Sequence, residues 1–169
     1  MSDDTTSRLS LPFLQAGQAQ KEVTHNEALA LMDIAVQPVV EAVGLTTPPL
    51  APLAGQCWIV GVAPSGAWTG RGGALAGWTA GGWRFLAAFD GMSAWSRNDL
   101  CIACHVAGQW EIGTVHARRL LIDGVQLPGL PQPAIAAPSG GTVSDLSARQ
   151  TIGEIIAALQ HHGLILNPA

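Results

Sequence analysis

The sequence predicts an α+β protein: a small antiparallel β-domain of meander or barrel-like form, flanked by an N-terminal helix and a C-terminal amphipathic helix. Three observations predict it. Between Cys57 and Ile112, short apolar runs alternate with glycine turns. All six tryptophans, at positions 58, 68, 78, 83, 95 and 110, fall in that stretch. On either side, apolar residues recur at helical spacing, over 28–36 and 152–159.

Taken in order, residues 1–9 are polar and acidic and read as a disordered tail. Residues 10–43 form an anchor and a helix. Leu11, Phe13 and Leu14 surround Pro12 as an apolar anchor. Thr24 stands three residues before Glu27, a capping-box spacing. Ala28, Leu31, Met32, Ala35 and Val36 then share one face up to Pro38, which predicts a helix over 25–36. Val39, Val40 and Val43 would prolong that face beyond the proline. Residues 44–55 are a Pro-rich linker of extended character.

The tryptophan-rich β-domain is placed at 56–127. Its expected strands are 57–62, 66–69, 74–79, 82–88, 92–95, 100–106 and 109–112, and a last hairpin turns at Asp123-Gly124 between 115–122 and 125–127. Residues 128–143 are a Pro/Gly connector. Residues 144–169 hold the clearest helix, about 145–162, capped by Ser144 or Asp145 and stopped at Gly163. Ile152, Ile155, Ile156 and Leu159 line one face at i, i+3, i+4 and i+7. That stripe has to be buried, either on the chain's own β-domain or against the same helix of neighbouring protomers.

Composition narrows the function. Apolar residues make up 48%, enough for a core, whereas charged residues are only 12%, about half of the roughly 25% usual in soluble domains. So sparsely charged a surface leaves apolar area to be covered by copies of the chain or by a partner. The net charge is −4, and one lysine and seven arginines form no basic stripe, which argues against a nucleic-acid partner. The N-terminus lacks an apolar stretch of signal-peptide length, and no apolar run approaches the roughly 18 residues of a membrane span. The expectation is a chain made in the cytoplasm, with no membrane insertion. Three cysteines, an odd number, make no disulfide framework.

Reactive motifs are few. Cys101-Ile102-Ala103-Cys104-His105 has the spacing of covalent haem attachment. It lies in an alternating strand, however, which would send Cys101, Ala103 and His105 to one face and Ile102 and Cys104 to the other. Splitting the thiols across the sheet argues against haem attachment, as does the lack of a signal peptide for export; a zinc site built from Cys57, Cys101, Cys104 and His105 has a suitable ligand count but only one close pair, in a strand instead of a knuckle turn. Ser65 and Ser139 precede glycines without a nucleophile elbow, and Gly70-Arg71-Gly72-Gly73 and Ser139-Gly140-Gly141-Thr142 lack the context of a phosphate loop. The sequence therefore predicts no catalytic residue, no cofactor and no metal, and the chain is expected not to be an enzyme. With three phenylalanines and no tyrosine, tryptophan must fill much of the core. Trp68, Trp78 and Trp83, beside glycine turns, are the candidates to be exposed and to contact glycans.

Three stretches carry a resemblance. They are Leu11 to Leu29 (LPFLQAGQAQKEVTHNEAL); Gly66-Ala67-Trp68 with Ala76-Gly77-Trp78 and Gly82-Trp83-Arg84-Phe85; and Gly140 to Val143 through His162 to Ile165. Together they resemble a family of uncharacterised function among alphaproteobacterial prophage proteins, with tail-fibre-like proteins and the head-spike proteins of gene transfer agents as members. The resemblance implies a virion structural protein, a spike or fibre base or adaptor subunit at a head vertex or tail of a virus-like particle. It implies a homo-oligomer holding a capsid or tail protein at one end and a fibre protein at the other, in the service of host attachment. Leu11, Phe13, Leu14, Leu31 and Met32 are then the particle-docking residues, and Ile152, Ile155, Ile156 and Leu159 the oligomer or core face. The competing expectation is a module that adheres to a capsule or surface polysaccharide.

Overall fold

The computed structural model describes residues 4–17, 21–126, 131–141 and 145–167. The chain divides into two compact units, 1–115 and 116–169.

The first unit holds helix α1 (Lys21–Ala35) and eight strands: β1 (Val39–Val40), β2 (Val43–Leu45), β3 (Cys57–Val60), β4 (Leu75–Thr79), β5 (Gly82–Leu86), β6 (Ser93–Ser96), β7 (Cys101–Val106) and β8 (Gln109–Ile112). They make two four-stranded sheets, ordered β2-β3-β4-β5 and β1-β6-β7-β8. Pairing is antiparallel except at β1–β6 and β2–β3, which are parallel. The fold is thus the expected small α+β fold, two mostly antiparallel sheets with no closed barrel. Val39, Val40 and Val43 do not extend the helix. Pro38 removes a backbone donor and ends it, and the β-branched residues beyond pair with one sheet and then the other. The supposed linker 44–55 therefore begins inside a strand. Residues 66–69 are not a strand either; Gly66–Trp68 is a single 3-10 turn that carries Trp68 over the first sheet.

Two apolar clusters result from the period of two. On one face of the first sheet, Cys57, Ile59 and Leu75 pack with Ile34 of α1 and with Val40, Met92, Ala94 and Ala103, so both sheets and the helix share one core. On its other face, Trp58, Val60, Trp68 and Ala76 form a second cluster joined by Trp78, Trp83 and Phe85. Helix and sheet meet at Gly77. A Cβ there would lie 2.5 Å from Ile34 Cδ1, so glycine is what admits the isoleucine.

α1 is also turned differently from the expectation. It starts at Lys21, and Thr24 and Glu27 lie within it instead of capping it. Its buried residues are Asp33 and Ile34, while Ala28, Met32 and Val36 of the expected stripe are exposed and Leu31 is only half-buried. The slot above Gly77 and the contacts of Asp33 fix the helix's rotation, and those outweigh the larger stripe. The tail is ordered as well over 4–9: Thr6 N–H donates to Leu11 O at 2.9 Å and Phe13 N–H to Asp4 O at 2.7 Å.

The second unit holds the hairpin β9 (Leu121–Ile122) and β10 (Val125–Gln126) and helix α2 (Leu146–His161). Asp123 and Gly124 both have positive φ, as a two-residue type I′ turn requires. The expected strand from 115 is confined to Leu121–Ile122, with Val115 exposed outside it. Asp145 caps α2, its Oδ1 accepting from Ala148 N–H at 3.0 Å, and Gly163 past the end takes the left-handed conformation. Of the expected stripe, Ile156 is buried and Leu159 half-buried, but Ile152 and Ile155 are exposed. Leu127, residues 128–130, and 142–144 with the alternative cap Ser144 lie outside the described residues.

Candidate functional site

Most of the anchor is occupied within its own chain. Residues 4–14 form an arm against α1, closed by a bridge between Thr5 and Pro12. Asp33, buried, accepts from Thr6 Oγ1 at 2.8 Å, Arg8 N–H at 3.0 Å and Leu9 N–H at 2.6 Å. Arg8 in return donates from its guanidinium to the carbonyls of Asp33, Ile34, Val36 and Gln37, the groups a helix C-terminus leaves unpaired. Asn26 clasps Leu14 with a pair of hydrogen bonds, 2.9 and 3.0 Å. Leu11, Phe13 and Leu14 are consequently half-buried in the chain itself. Beside the arm, an open cavity of about 300 Å³ is lined by Phe13, Val23, Ala30, Asp33, Thr79 and Arg84. Its charges are spent: Arg84 Nε sits 2.7 Å from Glu27 Oε1.

The tryptophans divide sharply. Trp68 is fully buried, with its ring 5.1 Å from Trp83 and 6.2 Å from Trp58, and so cannot contact a glycan as expected. Trp78 and Trp83 are half-buried and pack edge to face at 4.9 Å, each covering part of the other. The exposed one is Trp95, at 43% of its surface. It pairs across strands with Val39 on one side and Ile102, 54% exposed, on the other, so the three share the outward face of the second sheet. The inward positions between them are Ala94, Ser96 and Ala103, all buried. Ala94 and Ala103 pack against Cys57, Ile59 and Leu75 of the first sheet, and the period of two sends Trp95 to the opposite face. That alternation, Ser93-Ala94-Trp95-Ser96, was the available signal, and the habit of placing large apolar residues inside conceals it. Asp33 and Arg8 leave no local signal for a related reason: their roles depend on contacts 24 to 29 residues apart in sequence.

The cysteine motif lies as its alternation requires. Ala103 and His105 are buried on one face of β7, and Ile102 is exposed on the other with Cys104. His105 Nδ1 sits 3.2 Å from Asp90 Oδ1 and its ring packs edge-on against Trp110. Cys57 belongs to the other sheet, where burial pushes its thiol up to about 11; Arg8 opposes that shift and Asp33 and Glu41 add to it. Among the described residues, no three His, Cys, Asp or Glu side chains are grouped to hold a metal ion. No helix among them is long and apolar enough to cross a membrane.

Met32 and Val36 stand exposed near the end of α1, and Val39, Trp95 and Ile102 line a shallow groove together with Gln37 and Pro38. No curated protein matches the chain. A model of a family described as a protein of unknown function (DUF2793) matches residues 25–111, just over half of the chain. The match runs from the first turns of α1 to β8, taking in both sheets and leaving out the arm and the second unit. By that match, the chain belongs to the DUF2793 family of proteins of unknown function.

Proposed function

We propose that this protein is a non-catalytic structural subunit of a phage-like particle of the gene-transfer-agent kind. In this reading it is a homo-oligomeric spike or fibre base, or adaptor, that joins a fibre protein to a capsid or tail protein. The observation that carries the proposal is the exposed apolar surface of the first unit, Met32, Val36, Trp95 and Ile102, on a chain with only 12% charged residues. Met and Trp are enriched at the cores of protein interfaces, and charge is depleted there. Burying an aromatic and two or three aliphatic side chains contributes a few kcal/mol. Repetition around an oligomer's axis multiplies that into firm attachment. The resemblance of residues 11–29 and 140–165 to prophage and gene-transfer-agent proteins supplies the particle.

The test is particle incorporation of charge-bearing variants. Trp95→Glu and Met32→Glu are expected to lower the copy number of the subunit in purified particles at least tenfold, with circular dichroism unchanged. Variants present at normal copy number would defeat the reading. Exposure of Trp95 also favours a second reading, adhesion to a surface polysaccharide, since an open indole face can stack on a sugar ring. That reading expects Trp95→Ala to leave copy number intact and to abolish adhesion of particles to cells.

A further inference from the structure

Within the first unit, a small cavity forms where the loop before β4, the end of β5 and the β7–β8 turn meet. Its volume is about 300 Å³, and Gly70, Arg71, Gly73, Phe85, Ala88 and His105 line it. That size suits one small molecule. Among the described residues that line it, only Arg71 and His105 have polar side chains. A loop with left-handed Gly70 (φ 75°) and Gly73 (φ 76°) carries Arg71. The guanidinium lies 5.0 Å from the centre of the Phe85 ring and makes neither an ion pair nor a hydrogen bond among the described residues. It stays unspent in a chain whose acidic residues outnumber its basic ones by 12 to 8.

His105 is only 8% exposed, and Asp90 holds its ring. Nδ1 lies 3.2 Å from Asp90 Oδ1, an oxygen that also accepts from Gly108 N–H at 3.5 Å. A carboxylate only accepts, so Nδ1 donates, and Nε2 of the neutral ring is left as an acceptor. Nε2 makes no hydrogen bond among the described residues, yet it is not sealed in the core as Trp68 Nε1 is. A donor for it has to come through the cavity.

These two groups define a ligand class. One free guanidinium offers a pair of parallel N–H groups to a carboxylate. Asp90, behind the imidazole, disfavours a second negative charge. The imidazole acceptor asks for a hydroxyl, and Phe85 and Ala88 give the ligand's carbon atoms an apolar wall. We propose that the cavity binds a small hydroxycarboxylic acid, its carboxylate on Arg71 and its hydroxyl donating to His105 Nε2. Asp90 is then a positioning residue that acts through the imidazole. None of Met32, Val36, Trp95 and Ile102 takes part, so the binding and the particle reading stand or fall separately.

Titration of the full chain with L-lactate tests the proposal, followed by the nitrogen NMR resonance of His105 Nε2. The expected result is a saturable shift with half-saturation at millimolar L-lactate. Propionate, which lacks only the hydroxyl, should bind roughly tenfold more weakly, as the loss of one hydrogen bond requires. Arg71→Ala should abolish the shift and Arg71→Lys, which keeps the charge without the fork, should weaken it, both with the near-ultraviolet circular dichroism of the tryptophan cluster unchanged. Arg97→Ala, at an exposed arginine outside the cavity, should leave it intact. An unmoved His105 resonance at about 100 mM L-lactate overturns the proposal. So does binding that survives Arg71→Ala, propionate that binds as tightly as L-lactate, or inorganic phosphate that binds more tightly than either.

Discussion

Replacing Asp33 by alanine should free the N-terminal arm while leaving the sheets folded. The carboxylate takes three hydrogen bonds from the arm, at 2.6, 2.8 and 3.0 Å, two of them from backbone N–H groups. Hydrogen bonds to a charged group contribute roughly 1.5 kcal/mol or more each. Allowing for the side chain's own relief from burial, the arm should lose about 4 kcal/mol, a factor of about a thousand in its opening equilibrium. Arg8 makes this measurable. Held on the carbonyls at the end of α1, its peptide bond is protected from trypsin; once the arm lifts, cleavage after Arg8 tracks the open population. The assay is the rate of that cut by mass spectrometry, with urea unfolding of the tryptophan cluster followed in parallel. Asp33→Ala should accelerate it by two to three orders of magnitude on the scale of that estimate, and Asp33→Asn, which keeps one carbonyl acceptor, by less. An unchanged rate in Asp33→Ala would mean that the arm is held elsewhere and that Asp33 does not fix the rotation of α1.

The slot at Gly77 predicts non-additivity. Gly77→Ala drives a methyl to 2.5 Å from Ile34 Cδ1 and should cost about 1–3 kcal/mol, and Ile34→Ala alone about 2–5 kcal/mol. The double variant should lose clearly less than the two together, because the alanine then has room, so strict additivity in urea unfolding would refute the contact. Cys57 predicts an alkaline limit. Its folded thiol, pushed up to about 11 from an ordinary value of 9.0, stays protonated where the unfolded thiol ionises. Stability should be insensitive to this group below pH 9 and fall by up to about 3 kcal/mol as pH rises towards 11, a fall that Cys57→Ala should abolish. At neutral pH an alkylating reagent should reach Cys101 and Cys104 in the folded protein and Cys57 only after unfolding.

The DUF2793 match covers α1 from its second turn and both sheets, which carry the exposed Met32, Trp95 and Ile102, and excludes α2.

What the sequence determined by itself was local. Alternation and glycine turns located β3 to β8 to within two residues or so, because a half-buried strand writes its period into consecutive side chains. Asp145, Gly163 and the isoleucine spacing located α2 in the same way, and the alternation of β7 correctly separated Cys101 from Cys104. The tertiary structure alone decided what each face meets. The face of α1 that the periodicity marks, with Leu31, Met32 and Val36, is not the face that meets the sheet, since a glycine 43 positions beyond Ile34 determines which side of α1 reaches it. Trp68 read as surface and is buried, since a single 3-10 turn carries it over the first sheet, while Trp95 is turned outward by the small residues on either side of it. The pairing of Val39–Val40 and Val43–Leu45 with strands up to 56 residues away, and the ordering of residues 4–9 by Asp33, have no local pattern to announce them. Periodicity fixes that a side is apolar; the partner that covers it, or leaves it open to another molecule, is set by contacts between segments far apart in the chain.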